Sequence, residues 1–430
     1  MTAIERHIGR EEHLRLHRRA MLRCGAVATG GWLTGLSQRL ARAAESGDPG
    51  APPRSLIVLW LQGGPSQLET FDPHPGTMIA GGTEAIATAA SGVKIAADYP
   101  RLAEQMASVA LVRSMQSAEG DHERGTYLAK TGYRPDPVTR HPTLGAIVCH
   151  ELPRLATDIP RHVSILPGNW PDWGGYLGDS YNAFKMPDPR YDVPDVRSSV
   201  SRPRLEKRLD DLAVVERAFA AGRGRQVDGT HHRETIERAR RMMASEQLAA
   251  FQIDDEPAEL RERYGDTPFG RGCLAARRLT EVGVRCVEVT LGGWDTHVDN
   301  HSSHTALAGT LDAALSALIS DLAERDRLDH TLVLCAGEFG RTPTINRLGG
   351  RDHWPHGFTV ALAGCGIRGG TVVGATDPEG GRKVEDAQTF PALGATLLTA
   401  LGIDPSVELI SPAGRPIKLA DAEPIGKLLG

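Results

Sequence analysis

Five loops hold most of the acids and histidines in this chain that could do chemistry, and each follows an apolar run. SLIVLWLQGG opens into GGPSQLETFDP, with Glu69 and Asp72. VALVRSM opens into SAEGDHERGTYLAKTGYRP, with Asp121, His122, Glu123 and Arg124. VRCVEVTLGG opens into WDTHVDNHSSH, with Asp295, His297, Asp299, His301 and His304. TLVLCA opens into GEFGRTP, with Glu338 and Arg341, and GGRDHWPHG follows with Arg351, Asp352, His353 and His356. A mixture of imidazole and carboxylate suits zinc, manganese or iron, whereas a mainly oxygen shell suits magnesium or calcium. Two such ions about 4 Å apart activate a nucleophile and stabilise a leaving oxygen. Nearby arginines can hold an anionic substrate bidentately. Asp295, Glu338 and His353 are the strongest candidates. His304 and His356 read as solvent-facing. Trp170, Trp173 and Trp294 lie near these loops, as a packed rim or as a sugar-stacking platform.

These loops need a scaffold that brings them to one place. The runs SLIVLWL, VALVRSM, HVSILPG, VRCVEVTL, TLVLCA and FTVALAG are short, apolar and closed by Gly or small polar turns, which is the pattern of buried strands. Between them lie helical stretches such as HTALAGTLDAALSALISDLAERD, with apolar residues three and four apart. Strands alternating with long helices predict an α/β fold, with a mainly parallel sheet sandwiched by helices. In such sheets ligands gather at the carboxyl edge of the strands. Residues 195–265, rich in Arg, Glu and Ala, predict a helical insertion or lid on a domain spanning 55–425.

The N-terminus reads as an address. HRRAMLR (His17 to Arg23) sets Arg18-Arg19 before a small, apolar stretch from Cys24 to Leu36, and Ala41-Arg42-Ala43 supplies an A-x-A cleavage pattern. Residues 1–23 carry six Arg against three acids. The paired arginines predict a twin-arginine signal peptide over residues 1–43, a linker over 44–54 and a periplasmic or extracellular destination. That route carries folded cargo, often with its metal loaded. His17 stands where Ser or Thr is usual. The whole chain of 430 residues is 40% hydrophobic and carries a formal charge of −5. Loss of the leader removes eight Arg and three acids, leaving 41 basic and 51 acidic side chains, about −10. Such a balance excludes a general nucleic-acid binder. No apolar stretch after the leader reads as a membrane span. Five cysteines remain, Cys149, Cys273, Cys286, Cys335 and Cys365, without a CxxC pair. They read as buried thiols, with a single disulfide as the alternative.

At these residues the chain resembles a known family. HTLVLCAGEFGRTP is similar to the segment of sulfatases and phosphatases in which a strand ends in a metal-binding Asp-His pair, and HERGTYLAKTGYRP to the sulfatase helix that begins with the nucleophile and ends in a Thr-Gly turn. The arginine-pair leader, LQGGPSQLETFDP, GGWDTH, GEFGRTP and GRDHWP together resemble a secreted bacterial domain-of-unknown-function family (number fifteen-oh-one), sulfatase-like and of the alkaline phosphatase/sulfatase superfamily. The likeness covers about residues 15–400. It implies metal-ligand roles for Asp295, Glu338 and His353, with His297 and Asp72 as further candidate ligands. Arg124 and Arg351 become candidate substrate anchors, and Arg341 a candidate catalytic group.

The departures from that family bear on activity. Where sulfatases end the first strand with paired aspartates, this chain has Gln62-Gly63. Phe339 replaces the second half of the Asp-His pair. His122 stands where the nucleophilic Cys, Ser or Thr belongs, nine residues before Thr131. Thr126 is a hydroxyl one helical turn further on, on the same face. His122 is therefore a nucleophile, a metal ligand beside an attacking water, or part of a site without catalysis, and ligation is the most economical of these. The resulting expectation is a metal-dependent hydrolase of phosphate or sulfate esters holding a divalent ion (zinc, manganese, magnesium or calcium) and acting on an anionic small molecule or glycan. The alternative is a metal- or glycan-binding protein without turnover. A mutase-like activity is a third reading, which export disfavours. Oligomeric state is not legible.

Overall fold

β1 (Ser55–Leu61) is buried along its whole length. Ile57, Leu59 and Leu61 enter one core, and Leu56, Val58 and Trp60 enter a second core on the opposite face. Side chains alternate across a strand, so a strand covered on both sides must be apolar at every position. Each such side chain contributes about 1.5–3 kcal/mol by leaving water. This is the reason SLIVLWL is an unbroken run.

The computed structural model describes residues 54–221, 232–377 and 384–430. The expected leader (1–43) and all of the expected linker except Arg54 lie outside these residues. Further strands follow β1 in chain order: β2 (Val109–Gln116), β3 (His162–Ile165), β4 (Phe184–Met186), β5 (Cys286–Leu291) and β6 (Thr331–Ala336). A two-residue ladder of β7 (Gly340–Arg341) and β8 (His353–Trp354) comes next, and then β9 (Phe358–Ala363), β10 (Val372–Val373) and β11 (Gln388–Thr389). The main sheet runs β10-β2-β9-β6-β1-β5-β3-β4, with β11 also paired to β2. Every pairing is parallel except those of β9, which runs against both β2 and β6. The sheet is therefore mainly parallel, as the sequence predicts, with one reversed strand.

Helices cover both faces. On one side lie α1 (Pro100–Gln105), and on the other α2 (His122–Thr131) and α3 (Leu144–Glu151). Between positions 195 and 265 the described residues hold α4 (Arg202–Ala220), α5 (His232–Ala244) and α6 (Ala258–Tyr264). α7 (Pro268–Glu281) and α8 (Asn300–Glu324) join α1 and α6, while α9 (Phe390–Ala400) packs beside α2. α8 is long and apolar enough to cross a membrane, but Leu311, Leu315, Leu318 and Leu322 are buried in the core between sheet and helices. The five cysteines are buried and unpaired, as expected for packed thiols.

β9 runs in reverse, so its amino end lies at the carboxyl edge of β1, β2, β5 and β6. The loops that hold Gly63, His122, Asp295, Glu338 and His353 therefore all open on one edge of the sheet. This is how residues spread over more than two hundred positions become neighbours.

Candidate metal centre at the carboxyl edge

Gln62-Gly63-Gly64 turns beneath the centre. Gly63 has φ 118°, and a Cβ there would stand 2.5 Å from the Asp295 amide nitrogen. Gly64 has φ 76°, and a Cβ there would meet the Phe339 ring at 2.7 Å. Only glycine permits both the left-handed backbone and so close an approach. The amide of Gly63 donates to Glu338 Oε1 at 3.0 Å, fixing a fully buried carboxylate.

His122 opens α2. The Asp121 side chain caps that helix by accepting from the Glu123 and Arg124 amides, so Asp121 sets where His122 begins rather than taking part in the chemistry. His122 Nδ1 donates to Glu338 Oε1 at 2.7 Å. That bond, opposed by burial and helped by Asp295, raises the His122 pKa. Its Nε2 is buried, lies 3.3 Å from Asp295 Oδ2 and forms no hydrogen bond of good geometry.

His353 and His297 complete the group. His353 Nδ1 donates to the Gly120 carbonyl at 2.8 Å, and burial holds the ring below its ordinary pKa. His297 Nδ1 donates to Asp352 Oδ1 at 2.8 Å. Both rings therefore turn Nε2 inward, 3.1 Å from each other and 3.1 and 3.3 Å from Asp295 Oδ1. With both Nδ1 protons spent outward, neutral rings face each other with lone pairs. An extra proton or a cation has to sit between them. Among the described residues His122, Asp295 and His353 form a trio whose ligand atoms lie within 4.8 Å of one another. Burial tends to raise the Asp295 carboxyl, but the hydrogen bond and charge of Arg341, followed by His122 and His297, outweigh it and hold the group at about 2.

The other candidates from the sequence occupy different surroundings. Arg341 is fully buried and donates to Asp295 Oδ1 at 2.6 Å, to the Gly64 and Arg351 carbonyls at 2.9 and 3.1 Å, and to the Gly63 carbonyl. It is buried as a clamp under the centre, with its donors spent on the protein rather than turned toward a substrate. Arg351 is likewise buried, holding Glu69 Oε1 at 2.7 Å and the carbonyls of Ile79, Thr342 and Pro343. Its donors too are spent on the protein, which leaves no free face toward the centre. Arg124 pairs with Glu119 at 2.8 Å. Thr126 is buried on α2 with its hydroxyl unpartnered, out of reach of a substrate. Asp72 accepts from Thr376 at 2.6 Å and faces Arg113 at 3.3 Å, in a cluster without Asp295, His122 or His353. His304 is buried, contrary to the expectation of a solvent-facing ring: Nε2 accepts the Ser66 amide at 2.9 Å and Nδ1 donates to the Asn300 carbonyl. Trp294 packs on His304 and is buried, which removes it as a sugar platform. Of the groups that hold the rings and Glu338 from outside, Asp352 and Gly63 are named in the sequence reading without this role and Gly120 is not named there. Asp352 beside His353 in GGRDHWPHG was the one available signal, and a backbone amide or carbonyl gives none.

Residues 53–429 match the model of a family described as a protein of unknown function, DUF1501. Among curated proteins nothing matches. The chain is similar to solved structures of the alkaline phosphatase and sulfatase kind. One is a protein in the alkaline phosphatase superfamily from Vibrio parahaemolyticus, 12% identical, covering 82% of this chain and 67% of that one with a TM-score of 0.37. Another is the PsFucS1 sulfatase from Pseudoalteromonas sp., 13% identical, with coverages of 85% and 71% and a TM-score of 0.35. A third is the C-terminal periplasmic domain of EcEptC from Escherichia coli, in complex with Zn, 9% identical, with coverages of 89% and 96% and a TM-score of 0.36.

Proposed function

We propose that this chain, which belongs to the DUF1501 family, is an exported divalent-metal-dependent hydrolase of phosphate or sulfate esters. The observation that carries the reading is the convergence of the Nε2 atoms of His122, His297 and His353 on the Asp295 carboxylate, with each Nδ1 tied outward to Glu338, Asp352 or Gly120. A metal-ligating histidine characteristically gives its other N–H to a carboxylate or carbonyl in this way. The buried, unpartnered His122 Nε2 and Glu338 Oε2 fit the same reading, because a buried polar atom without a partner is costly. His122, Asp295 and His353 would hold the ion, with His297 beside them. Imidazole with one carboxylate favours zinc or manganese over magnesium or calcium. The ion would supply Lewis acidity toward an ester oxygen.

The protein's own groups set the rest. Glu338 holds the Nδ1 proton of His122 and so fixes which nitrogen faces inward. Asp295, kept ionised by Arg341, stays a carboxylate through the physiological range. Asp295, Glu338 and Asp352 outnumber Arg341, so the centre is net negative when the rings are neutral, which draws a dication. The leader sequence supports delivery to the periplasm or beyond.

A second reading, a metal- or glycan-binding protein without turnover, is favoured by one observation: Arg124, Arg341 and Arg351 are all engaged with the protein itself. Zinc- and manganese-loaded mature protein is assayed with nitrophenyl phosphate and nitrophenyl sulfate. Turnover that disappears with chelator and with His353→Ala supports the hydrolase. Metal-loaded protein inert toward both esters supports the binding protein instead.

A further inference from the structure

A second convergence lies at the other end of β5. The first residues of β3 and β5, His162 and Cys286, are partners in the parallel ladder. Asp172, from the segment after β3, returns over them and brings Oδ2 to 3.1 Å from His162 Nε2. With Cys286 Sγ these atoms all lie within 4.8 Å of one another, and all three residues are buried. α3 crosses the trio at Gly145. A Cβ there would stand 2.5 Å from His162 Nε2, 2.7 Å from Asp172 Oδ2 and 2.7 Å from Cys286 Sγ. One nitrogen, one oxygen and one sulfur thus converge beside Gly145, where any side chain would collide with all three.

The surroundings are those of a bound ion. His162 Nδ1 donates to the Tyr181 carbonyl at 2.9 Å, so the outer nitrogen is held and Nε2 points at the cluster. Asp172 Oδ1 is buried and finds charge contact with Lys130 Nζ at 3.1 Å but no hydrogen bond of good geometry. Lys130 also bonds Glu288, a carboxylate inside the apolar strand β5. With a neutral His162 ring and both carboxylates ionised, one ammonium faces two carboxylates, and both nitrogens of His162 face acceptors, so either a proton or a cation has to supply the missing positive charge. A dication bound with loss of the Cys286 thiol proton to solvent adds one positive charge and brings the cluster to neutrality.

We propose that His162, Asp172 and Cys286 form a structural zinc-class site, distinct from the Asp295 centre and independent of whether that centre hydrolyses anything. Mixed imidazole, carboxylate and thiolate ligation suits zinc and its cobalt substitute better than magnesium or calcium. Bound there, the ion would tie β3 and β5 to the segment carrying Asp172, beneath α3.

The test is cobalt(II) loading of the full mature chain. Cobalt bound to thiolate gives a near-ultraviolet charge-transfer band, and the Asp295 centre contains no sulfur. The expected result is a band in the wild-type protein that is lost in Cys286→Ser and kept in His353→Ala and Cys273→Ser, with Cys286→Ser losing one metal equivalent per chain by elemental analysis. Metal-saturated wild-type protein without the band overturns the proposal. That measurement needs no variant, so misfolding of Cys286→Ser cannot obscure it. A band lost in His353→Ala and kept in Cys286→Ser overturns it as well.

Discussion

Replacing Arg341 separates two roles that its sequence position confounds. As a catalytic group it would be dispensable to folding. In the structure it is buried beneath the centre and donates to three carbonyls, those of Gly63, Gly64 and Arg351, and to the Asp295 carboxylate. Arg341→Met keeps the bulk and removes every donor. Each stranded carbonyl costs about 1 kcal/mol or more, and removing one partner of a buried charge pair costs about 3–5 kcal/mol. Half of the Asp295 side chain faces solvent, which lowers the second figure to about 2 kcal/mol, so the total is about 5 kcal/mol. For a domain of this size that corresponds to a fall in melting temperature of roughly 5–8 °C. Asp295 also loses the group that holds its carboxyl down, so protons should compete with the metal at acid pH, whereas at neutral pH the loss of one positive charge beside the centre leaves the attraction for a dication intact or stronger. The assays are differential scanning calorimetry of metal-free protein and zinc titration at two pH values. A variant with an unchanged melting temperature and lost ester turnover would refute the structural role and restore the catalytic one.

Two more outcomes follow from the geometry. Burial holds the His304 ring at about 4, against about 6.5 in the unfolded chain, so the unfolded state takes up the proton first as pH falls. Stability is complete above pH 6.5, falls between there and pH 4, and is flat below; by pH 5 the loss is about 2 kcal/mol. His304→Gln keeps an acceptor for the Ser66 amide and should lose about that much less between pH 7 and 5 in urea denaturation, and an identical drop in both proteins would show that His304 is not the sensor. Gly63→Ala and Gly76→Ala both place a side chain at positive φ, but a Cβ at 63 meets the backbone of Trp294 and Asp295, whereas nothing lies within 4 Å at 76. Gly63→Ala should cost about 2–4 kcal/mol and Gly76→Ala about 1 kcal/mol, and equal denaturation midpoints would refute the crowding at Gly63.

The six apolar runs read as strands all form, because a strand buried on both faces cannot be written without a continuous apolar stretch. The reversal of β9 had no such signal. FTVALA reads the same in either direction, and its direction is decided by the β7–β8 ladder and the turn around His356. The site was legible as a set of loops but not as a set of roles. His122, His353, His297, Asp295 and Glu338 do come together. Arg341 looked like a catalytic group and Arg351 like an anion anchor because an arginine after a strand end looks the same whether it reaches outward or folds under. The buried cluster of Lys130, Asp172 and Glu288 left one trace, a glutamate in the middle of CVEVTL, and its partners are too far away in sequence to be paired with it.

The fate of those arginines constrains what the centre can recognise. Arg124 leans on Glu119, Arg351 on Glu69, and Arg341 on Asp295, so none of the three presents an unpaired guanidinium. Without an ion, the centre offers an approaching sulfate or phosphate three carboxylates, rings already tied to each other or to those carboxylates, and no free guanidinium. Anion binding and the ion therefore stand or fall together. In a site with its own arginine anchors, chelation would abolish turnover while leaving product affinity largely intact. Here chelation should abolish both, and inorganic phosphate should bind the zinc-loaded protein and fail to bind the stripped one. Calorimetric titration of phosphate into the two forms measures this, and equal affinity in both would mean that an anchor outside the Asp295 centre carries the recognition.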